Sequence, residues 1–254
     1  MIPRLLALAC LGLSVTQAAA MVGGAAPANG TGAARHVVLI VGSRGNSCTG
    51  TALARDLVLT AAHCVLPGAD YKLVEFDAAH RPSLKNVAQI IRHPGFSLKT
   101  LFAHRATADL ALLKLADPLP AAVAPALLSG RRLVQVGETF TVAGYGVTVR
   151  GDGRTGGTTR IADLAATGQP GTLQIRLADP ATRGERAGLG ACSGDSGAPA
   201  FEDAGGRLAM IGLVSWSTGP GNSDGCGGLT GITPLLLYRD WIAQTAQTLG
   251  SPLP

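Results

Sequence analysis

The chain contains Ala191-Cys192-Ser193-Gly194-Asp195-Ser196-Gly197-Ala198-Pro199, and this stretch decides how its fold is interpreted. Glycines on both sides of Asp195-Ser196 favour a tight turn, which leaves the hydroxyl of Ser196 exposed. Such a hydroxyl becomes a nucleophile only when a base removes its proton, and an imidazole oriented by a carboxylate is a common base. A histidine and an acidic residue elsewhere in the chain would therefore make Ser196 a candidate catalytic group.

Two further segments supply these groups. His63 lies in Thr60-Ala61-Ala62-His63-Cys64 after a short apolar run, and Asp109 stands at the head of the alternating run 110–115. A lone histidine is usually an ordinary surface or core residue, and four are interpreted in that way: His36, His80, His93 and His104. The order His, Asp, Ser across three separate segments indicates nucleophilic catalysis instead.

Together these segments resemble the trypsin and chymotrypsin family of serine proteases, and the chain is identified as a secreted, bacterial-type, single-domain member. Weaker likenesses are Ala143-Gly144-Tyr145-Gly146, Val214-Ser215-Trp216, His93-Pro94 and residues 238–242. The resemblance implies that Ser196 attacks the substrate, His63 transfers the proton and Asp109 fixes the imidazole. It also implies an oxyanion hole formed by the backbone N–H groups of Gly194 and Ser196.

The fold class is predicted as all-β. Short apolar runs separated by Gly, Pro and Asn predict strands at 36–41, 57–60, 87–92, 110–115, 140–143, 173–177 and 208–214. A helix is predicted near the C-terminus, over residues 235–249. The resemblance implies two six-stranded antiparallel barrels followed by this helix. Residues 21–130 would form the barrel with His63 and Asp109, residues 131–254 would carry Ser196 and the helix, and 116–130 would link the two barrels into one peptidase unit.

Composition and the N-terminus restrict the class of protein. Hydrophobic residues make up 46% of the 254, which is enough for buried cores, and the net charge of +5 comes without basic and aromatic clusters, so nucleic-acid binding is not expected. Residues 1–20 are typical of a signal peptide, with Arg4, an apolar run and Ala18-Ala19-Ala20. This run is too short to span a bilayer. The mature protein is expected to be extracellular or periplasmic, free of the membrane and monomeric.

Five cysteines are present, and Cys10 would be lost with the leader. An even number in an exported chain favours disulfides over metal ligation, although four cysteines allow three pairings. The resemblance selects Cys48 with Cys64 and Cys192 with Cys226. No metal or cofactor is predicted, because Glu75 and Asp77 alone do not form a convincing calcium loop.

The resemblance also implies an activation step. In the family a newly freed amino terminus inserts into the protein and pairs with the aspartate before the nucleophile, which is Asp195 here. Met21 occupies the position of that terminus, but three alanines and no Arg or Lys precede it. We therefore predict that signal peptidase, by cutting after Ala20, itself produces the active terminus without a zymogen stage.

The residues expected to form the substrate pocket follow from the resemblance: Gly190, Ala191, Ser215, Trp216, Ser217 and Gly228. Gly190 at the base offers no carboxylate to a Lys or Arg side chain, so cleavage after basic residues is disfavoured. An apolar or aromatic residue before the cut is predicted. Two points stay open, since either Gly228 or Thr230 could line the back of the pocket, and an intruding Asp224 would restore a basic preference.

The predicted function is that of a secreted serine endopeptidase acting through an acyl-enzyme intermediate. Its partners would be protein or peptide substrates, with protein inhibitors as a further class. The main alternative is a catalytically inactive protease homologue that acts as a binding protein. An esterase of the α/β-hydrolase type is excluded because it needs Gly-x-Ser-x-Gly, whereas Ala198 replaces the second glycine.

Overall fold

The computed structural model describes residues 21–22, 32–77, 79, 81–103, 105–130, 133–168 and 173–253. The predicted leader, residues 1–20, and two of the non-catalytic histidines, His80 and His104, lie outside these residues.

The first half of the chain closes into a six-stranded antiparallel barrel. Its strands are β1 (Val37–Gly42), β2 (Ser47–Ala54), β3 (Leu57–Thr60), β4 (Tyr71–Phe76), β5 (Pro82–Arg92) and β6 (Ala111–Leu115), and they are ordered β1-β2-β3-β6-β5-β4 around the barrel. Every residue of β3 is buried, and Leu57, Leu59 and Leu112 are fully enclosed. These leucines account for the short continuous apolar runs in the sequence, which are typical of strands covered on both faces.

The second half forms a second closed barrel. A two-residue strand, β7 (Leu127–Leu128), precedes it, and the barrel strands are β8 (Thr139–Gly144), β9 (Arg160–Ala166), β10 (Ile175–Ala178), β11 (Pro199–Asp203), β12 (Leu208–Ser217) and β13 (Thr230–Pro234). Pairing of β11 with β12 closes the order β11-β8-β9-β10-β13-β12. The predicted all-β fold of two six-stranded barrels is therefore confirmed. The predicted link at 116–130 is not wholly irregular, because β7 pairs in parallel with β12.

Two α-helices are present among the described residues. The C-terminal one, α2 (Arg239–Thr248), follows a 3-10 turn at Leu236–Tyr238 and buries Ile242 and Ala246, so it begins later than predicted. The other, α1 (Leu98–Phe102), was not predicted, because five residues with none buried leave no apolar periodicity to detect. In the part of the chain that is described, no helix has the length and hydrophobicity that crossing a membrane would require.

Thr49 of β2 joins the two barrels. Its N–H donates to the carbonyl of Ser196 over 2.9 Å, and its hydroxyl donates to the carbonyl of Gly194 over 2.9 Å. The same hydroxyl accepts the N–H of Tyr145 over 3.0 Å. The first barrel therefore holds the serine turn of the second barrel by direct hydrogen bonds, which places the turn at the boundary between the two cores.

Candidate active site

His63 and Asp109 are brought together by neighbouring strands. Thr60, at the end of β3, pairs with Ala111, at the start of β6, so the residues that follow one strand and precede the other lie at the same edge of the barrel. His63 lies in the 3-10 turn Ala62–Val65 just after β3. The disulfide between Cys48 and Cys64 ties this turn to β2, with a Cα–Cα distance of 6.1 Å.

Asp109 is fully buried and accepts three hydrogen bonds. The imidazole Nδ1 of His63 lies 2.7 Å from Oδ2, and the backbone N–H of His63 donates to Oδ1 over 3.0 Å. The hydroxyl of Ser215 donates to Oδ2 over 2.5 Å. An ionised carboxylate only accepts hydrogen bonds, so Nδ1 carries the imidazole proton and Nε2 is left as a proton acceptor. Ser215, predicted as a pocket residue, therefore contacts the catalytic carboxyl candidate Asp109 directly.

Ser196 and the imidazole of His63 both lie near the sulfur of Cys64. The carbonyl oxygen of Ser196 is 3.7 Å from Sγ of Cys64, and Nε2 of His63 is 3.9 Å from the same sulfur. Gly197 allows the turn of Ser196 to pack closely against the first barrel, because its φ is +84° and a Cβ there would overlap the Thr49 carbonyl and the Thr60 hydroxyl. The structure thus gathers His63, Asp109 and Ser196, which are far apart in sequence, at one edge between the barrels.

Two peptide planes next to Ser196 have fixed orientations. The carbonyl of Ser193 accepts the N–H of Val147 over 2.8 Å, and the carbonyl of Asp195 accepts the N–H of Ala198 over 2.8 Å. Because a trans peptide points its C=O and N–H in opposite directions, the N–H groups of Gly194 and Ser196 are turned the other way. Within the described ranges neither N–H has an acceptor in the protein. Both are therefore available to a ligand oxygen.

The side chain of Asp195 holds two neighbouring backbone segments by hydrogen bonds. It is fully buried, with Oδ1 accepting the N–H of Gly146 over 2.8 Å and Oδ2 accepting the N–H of Cys192 over 2.9 Å. Burial is the largest influence and raises the pKa of this carboxyl from 3.8 to about 6, while the two backbone donors and the charge of Arg160 act in the opposite direction. Such a carboxylate is costly to ionise without a cation nearby.

The residue predicted to become the new terminus is buried in the same barrel. Met21 is only 1% exposed and belongs to the apolar cluster that includes Ala191 and Ala198, on either side of the serine turn. Val22 forms an antiparallel bridge with Gly190. The predicted start of the mature sequence and the segment before Ser196 therefore lie in one region of the structure.

A cavity of about 220 Å³ opens next to Ser196. Two of the predicted pocket residues, Trp216 and Ser217, line it together with the unpredicted Arg150, Cys192, Ser193, Val214 and Gly225, and with Asp224. The other predicted pocket residues are not among its lining residues: Gly190, Ala191, Ser215 and Gly228. A larger cavity lies between β7 and α2 and includes none of the predicted site residues.

Thr230 is placed next to the 220 Å³ cavity by its strand partner Ser217, which lines the cavity. Thr230 is fully buried, pairs with Ser217 across the sheet and accepts the N–H of Ala191 on its hydroxyl over 3.0 Å. A Cβ on Gly190 would lie 3.1 Å from the Cα of Gly227. Thr230, and not Gly228, therefore holds the position opposite Ser217. Only the strand register reveals this, because the sequence alone left both Gly228 and Thr230 as candidates.

Both disulfides that the resemblance implied are present. Cys192 pairs with Cys226 over a Cα–Cα distance of 4.7 Å, which ties the segment before Ser196 to the residues after the cavity. Sγ of Cys48, Sγ of Cys64 and a nitrogen of His63 lie within 4.8 Å of one another. The two sulfurs are bonded to each other, so they lack the thiolate form that binds metals.

Comparison with known proteins agrees with this arrangement. The family model named Trypsin matches residues 21–242. The chain is 28% identical over 213 residues to a trypsin-like protease of Streptomyces glaucescens, covering 80% of this chain and 75% of that protein. It is 29% identical to kallikrein-8 of Homo sapiens and 27% identical to the vitellin-degrading protease of Bombyx mori, in each case over 80% of this chain and 78% of the relative.

Proposed function

This chain belongs to the trypsin family of serine proteases, and on that premise we propose that it is a secreted endopeptidase that cleaves peptide bonds through an acyl-enzyme intermediate on Ser196. The observation that carries the proposal is the hydrogen-bonded pair of His63 and Asp109, 2.7 Å apart, beside the turn of Ser196. The main alternative, an inactive homologue that binds a partner, has no need of this pair.

The proposed reaction begins when Oγ of Ser196 attacks the carbonyl carbon of the scissile bond. Nε2 of His63 takes the hydroxyl proton as the C–O bond forms, and Asp109 stabilises the resulting imidazolium. His63 then donates this proton to the amine nitrogen as the C–N bond breaks, which leaves an acyl group on Ser196. A water molecule, deprotonated by the same imidazole, releases the acid and restores the serine.

The negative charge that develops on the carbonyl oxygen would be stabilised by the N–H groups of Gly194 and Ser196. Their free orientation, set by the Ser193 and Asp195 carbonyls, supports this assignment. Losing one such donor typically lowers the rate by about 10²–10³. Because these donors are fixed before the substrate binds, little reorganisation is needed in the transition state.

Activation is proposed to occur by removal of residues 1–20. The α-amino group of Met21 would then be freed inside the barrel, where the side chain of Met21 is already buried. An ammonium group there would offset the cost of ionising Asp195, which is fully buried. Export through a cleaved signal peptide would account both for this step and for the two disulfides.

An uncharged, apolar residue before the scissile bond is the proposed preference. Thr230, the strand partner of the lining residue Ser217, carries no carboxylate, and neither do Gly190 and Ala191, which precede the lining residue Cys192. Arg150 shares the cavity lining with Asp224, so a cationic side chain would meet a charge of each sign. Val214 and Trp216 offer apolar surface to a substrate side chain. Cleavage of a peptide library by the mature protein would test this preference, and a dominant Lys or Arg signal would overturn it.

Covalent labelling separates the peptidase from the inactive homologue. An organophosphonate should modify Ser196 in a one-to-one ratio, and the reaction should be lost in Ser196→Ala and slowed strongly in His63→Ala. Ser83→Ala, an exposed serine of β5, is the matched control and should label normally. An unmodified Ser196 in the mature protein, with peptides left uncut, would establish the binding protein instead.

A further inference from the structure

Asp195 has no direct cationic partner among the described residues, although it is enclosed completely. Each of its oxygens accepts one backbone N–H, from Gly146 or from Cys192. A carboxylate oxygen has two lone pairs, so each oxygen retains capacity for a second donor. Before residues 1–20 are removed, Met21 is joined to Ala20 by a peptide bond and has no free amino group to pair with Asp195.

Arg160 is on the same face of the sheet as this carboxylate. It is the first residue of β9 and pairs directly with Gly144 of β8. Side chains that are directly opposite in an antiparallel pair point to the same face. A Cβ on Gly144 would overlap Oδ1 of Asp195. The carboxyl group of Asp195 therefore occupies the space that a side chain on Gly144 would fill, on the same face of the sheet as Arg160.

The guanidinium of Arg160 has donors to spare. Its Nε is buried and has no hydrogen-bond partner among the residues that the structure describes, and its Nη1 reaches the carbonyl of Thr155 only over 3.3 Å. Burial lowers the pKa of Arg160, and the charge of Asp195 raises it in return. The two charges therefore influence each other through the low-dielectric interior without the direct contact of a salt bridge.

We propose that Arg160 is a positioning residue whose guanidinium serves as a second, built-in countercharge for Asp195. This role of Arg160 rests on the proposed function and extends it. Arg160 keeps the Ser193-Gly194 peptide and Ser196 in the arrangement that receives the oxyanion even where the amino group of Met21 is blocked. The chain with residues still attached before Met21 is then partly active, and the freed terminus raises this activity instead of switching it on from zero.

The test is a double-mutant cycle on two forms of the protein. One form begins at Met21, and the other retains Ala18-Ala19-Ala20 ahead of it. Each is made with Arg160 and with Arg160→Gln, and kcat/KM and the rate of organophosphonate labelling of Ser196 are measured. We expect Arg160→Gln to lower both rates at least about tenfold more in the extended form than in the mature one, within the range of ordinary coupling between sites.

Matched variants distinguish charge from simple support. Arg160→Lys, which keeps the cation, should restore most of the activity of the extended form, and Arg160→Met, which keeps only the unbranched stem, should not. Arg176→Gln is the control, because Arg176 is an exposed arginine of β10 that also faces a glycine across the sheet. It should leave both forms unchanged. If Arg160→Gln does not fold, the lysine and methionine variants carry the same comparison.

Two results would overturn this inference. One is an equal effect of the Arg160 variants on the mature and extended forms, and the other is an extended form that is inactive although Arg160 is present. Either result leaves the peptidase assignment intact as long as Ser196 of the mature protein is labelled. If the mature protein is not labelled, the proposed function itself fails.

Discussion

Freeing the amino group of Met21 should stabilise the protein by an amount that depends on pH. The perturbation is the pair of forms just described, one beginning at Met21 and one keeping three alanines before it. Both would carry Ser196→Ala, so that self-cleavage cannot affect the measurement. The difference between their free energies of unfolding isolates the effect of an ammonium group next to the buried carboxyl of Asp195.

The magnitude follows from the pKa of Asp195. Without an ammonium group beside Asp195, burial raises this pKa from 3.8 to about 6, so the folded state keeps a proton that the unfolded state releases at lower pH. The free energy of unfolding of the extended form is therefore not reduced below about pH 4. It falls as the pH rises from about 4 to 6 and stays at the lower value above pH 6. At neutral pH the loss is about 3 kcal/mol. In the mature form the ammonium group removes most of this loss.

The assay is urea-induced unfolding of both forms between pH 4 and pH 8. The stability difference should be small near pH 4, grow through pH 6 and approach the full value near pH 7. Asp195→Asn in both forms should abolish the pH-dependent part, because no proton is then released. A difference that is constant across this range, or an extended form that is no less stable at pH 7, would refute the role assigned to Asp195 and Met21.

The remaining predictions concern the serine turn and its supports. Asp109→Asn should lower kcat about 10⁴-fold, because an amide in place of the carboxylate favours the wrong imidazole tautomer, and the pH dependence of kcat would check this. Ser215→Ala should lower kcat/KM by only about tenfold and cost about 1–2 kcal/mol in urea unfolding, since it removes one of three hydrogen bonds to Asp109. A loss of activity as large as that of Asp109→Asn would contradict the smaller role given to Ser215. Gly197→Ala should abolish labelling of Ser196 and destabilise the fold by more than about 1 kcal/mol. The reason is that an alanine at φ +84° would overlap the Thr49 carbonyl and the Thr60 hydroxyl of the first barrel. An active, stable variant would argue against the described turn. Replacing Cys192 and Cys226 by serine should cost about 3–4 kcal/mol by opening a loop of 34 residues, as a shift of the urea midpoint would show, and an unchanged midpoint would contradict it.

Much of the site could be predicted from sequence because its parts lie in short, distinctive strings. His63, Asp109 and Ser196 each stand next to a strand or turn that the local pattern identifies, and the structure gathers them at one edge. The resemblance also gave both disulfide pairings correctly. These features depend on residue type and order along the chain, which a sequence displays directly.

The features that escaped prediction depend on strand register and loop paths. Thr230 is opposite Ser217 only because β12 and β13 pair with an irregularity before that point. Arg160 shares a face with Asp195 only because it pairs with Gly144. Arg150 reaches the cavity from a loop. A shift of one residue in either pairing would turn these side chains to the opposite face, and nothing in the local sequence fixes that choice.

The most direct measurement is the intact mass of the mature protein during turnover of a slow ester or peptide substrate, quenched with acid. The mechanism predicts a transient species heavier by one acyl group, with the modification located on Ser196 by fragmentation and absent from Ser196→Ala. Turnover without any acylated species, or an acyl group on another residue, would contradict the assignment of Ser196 as the nucleophile.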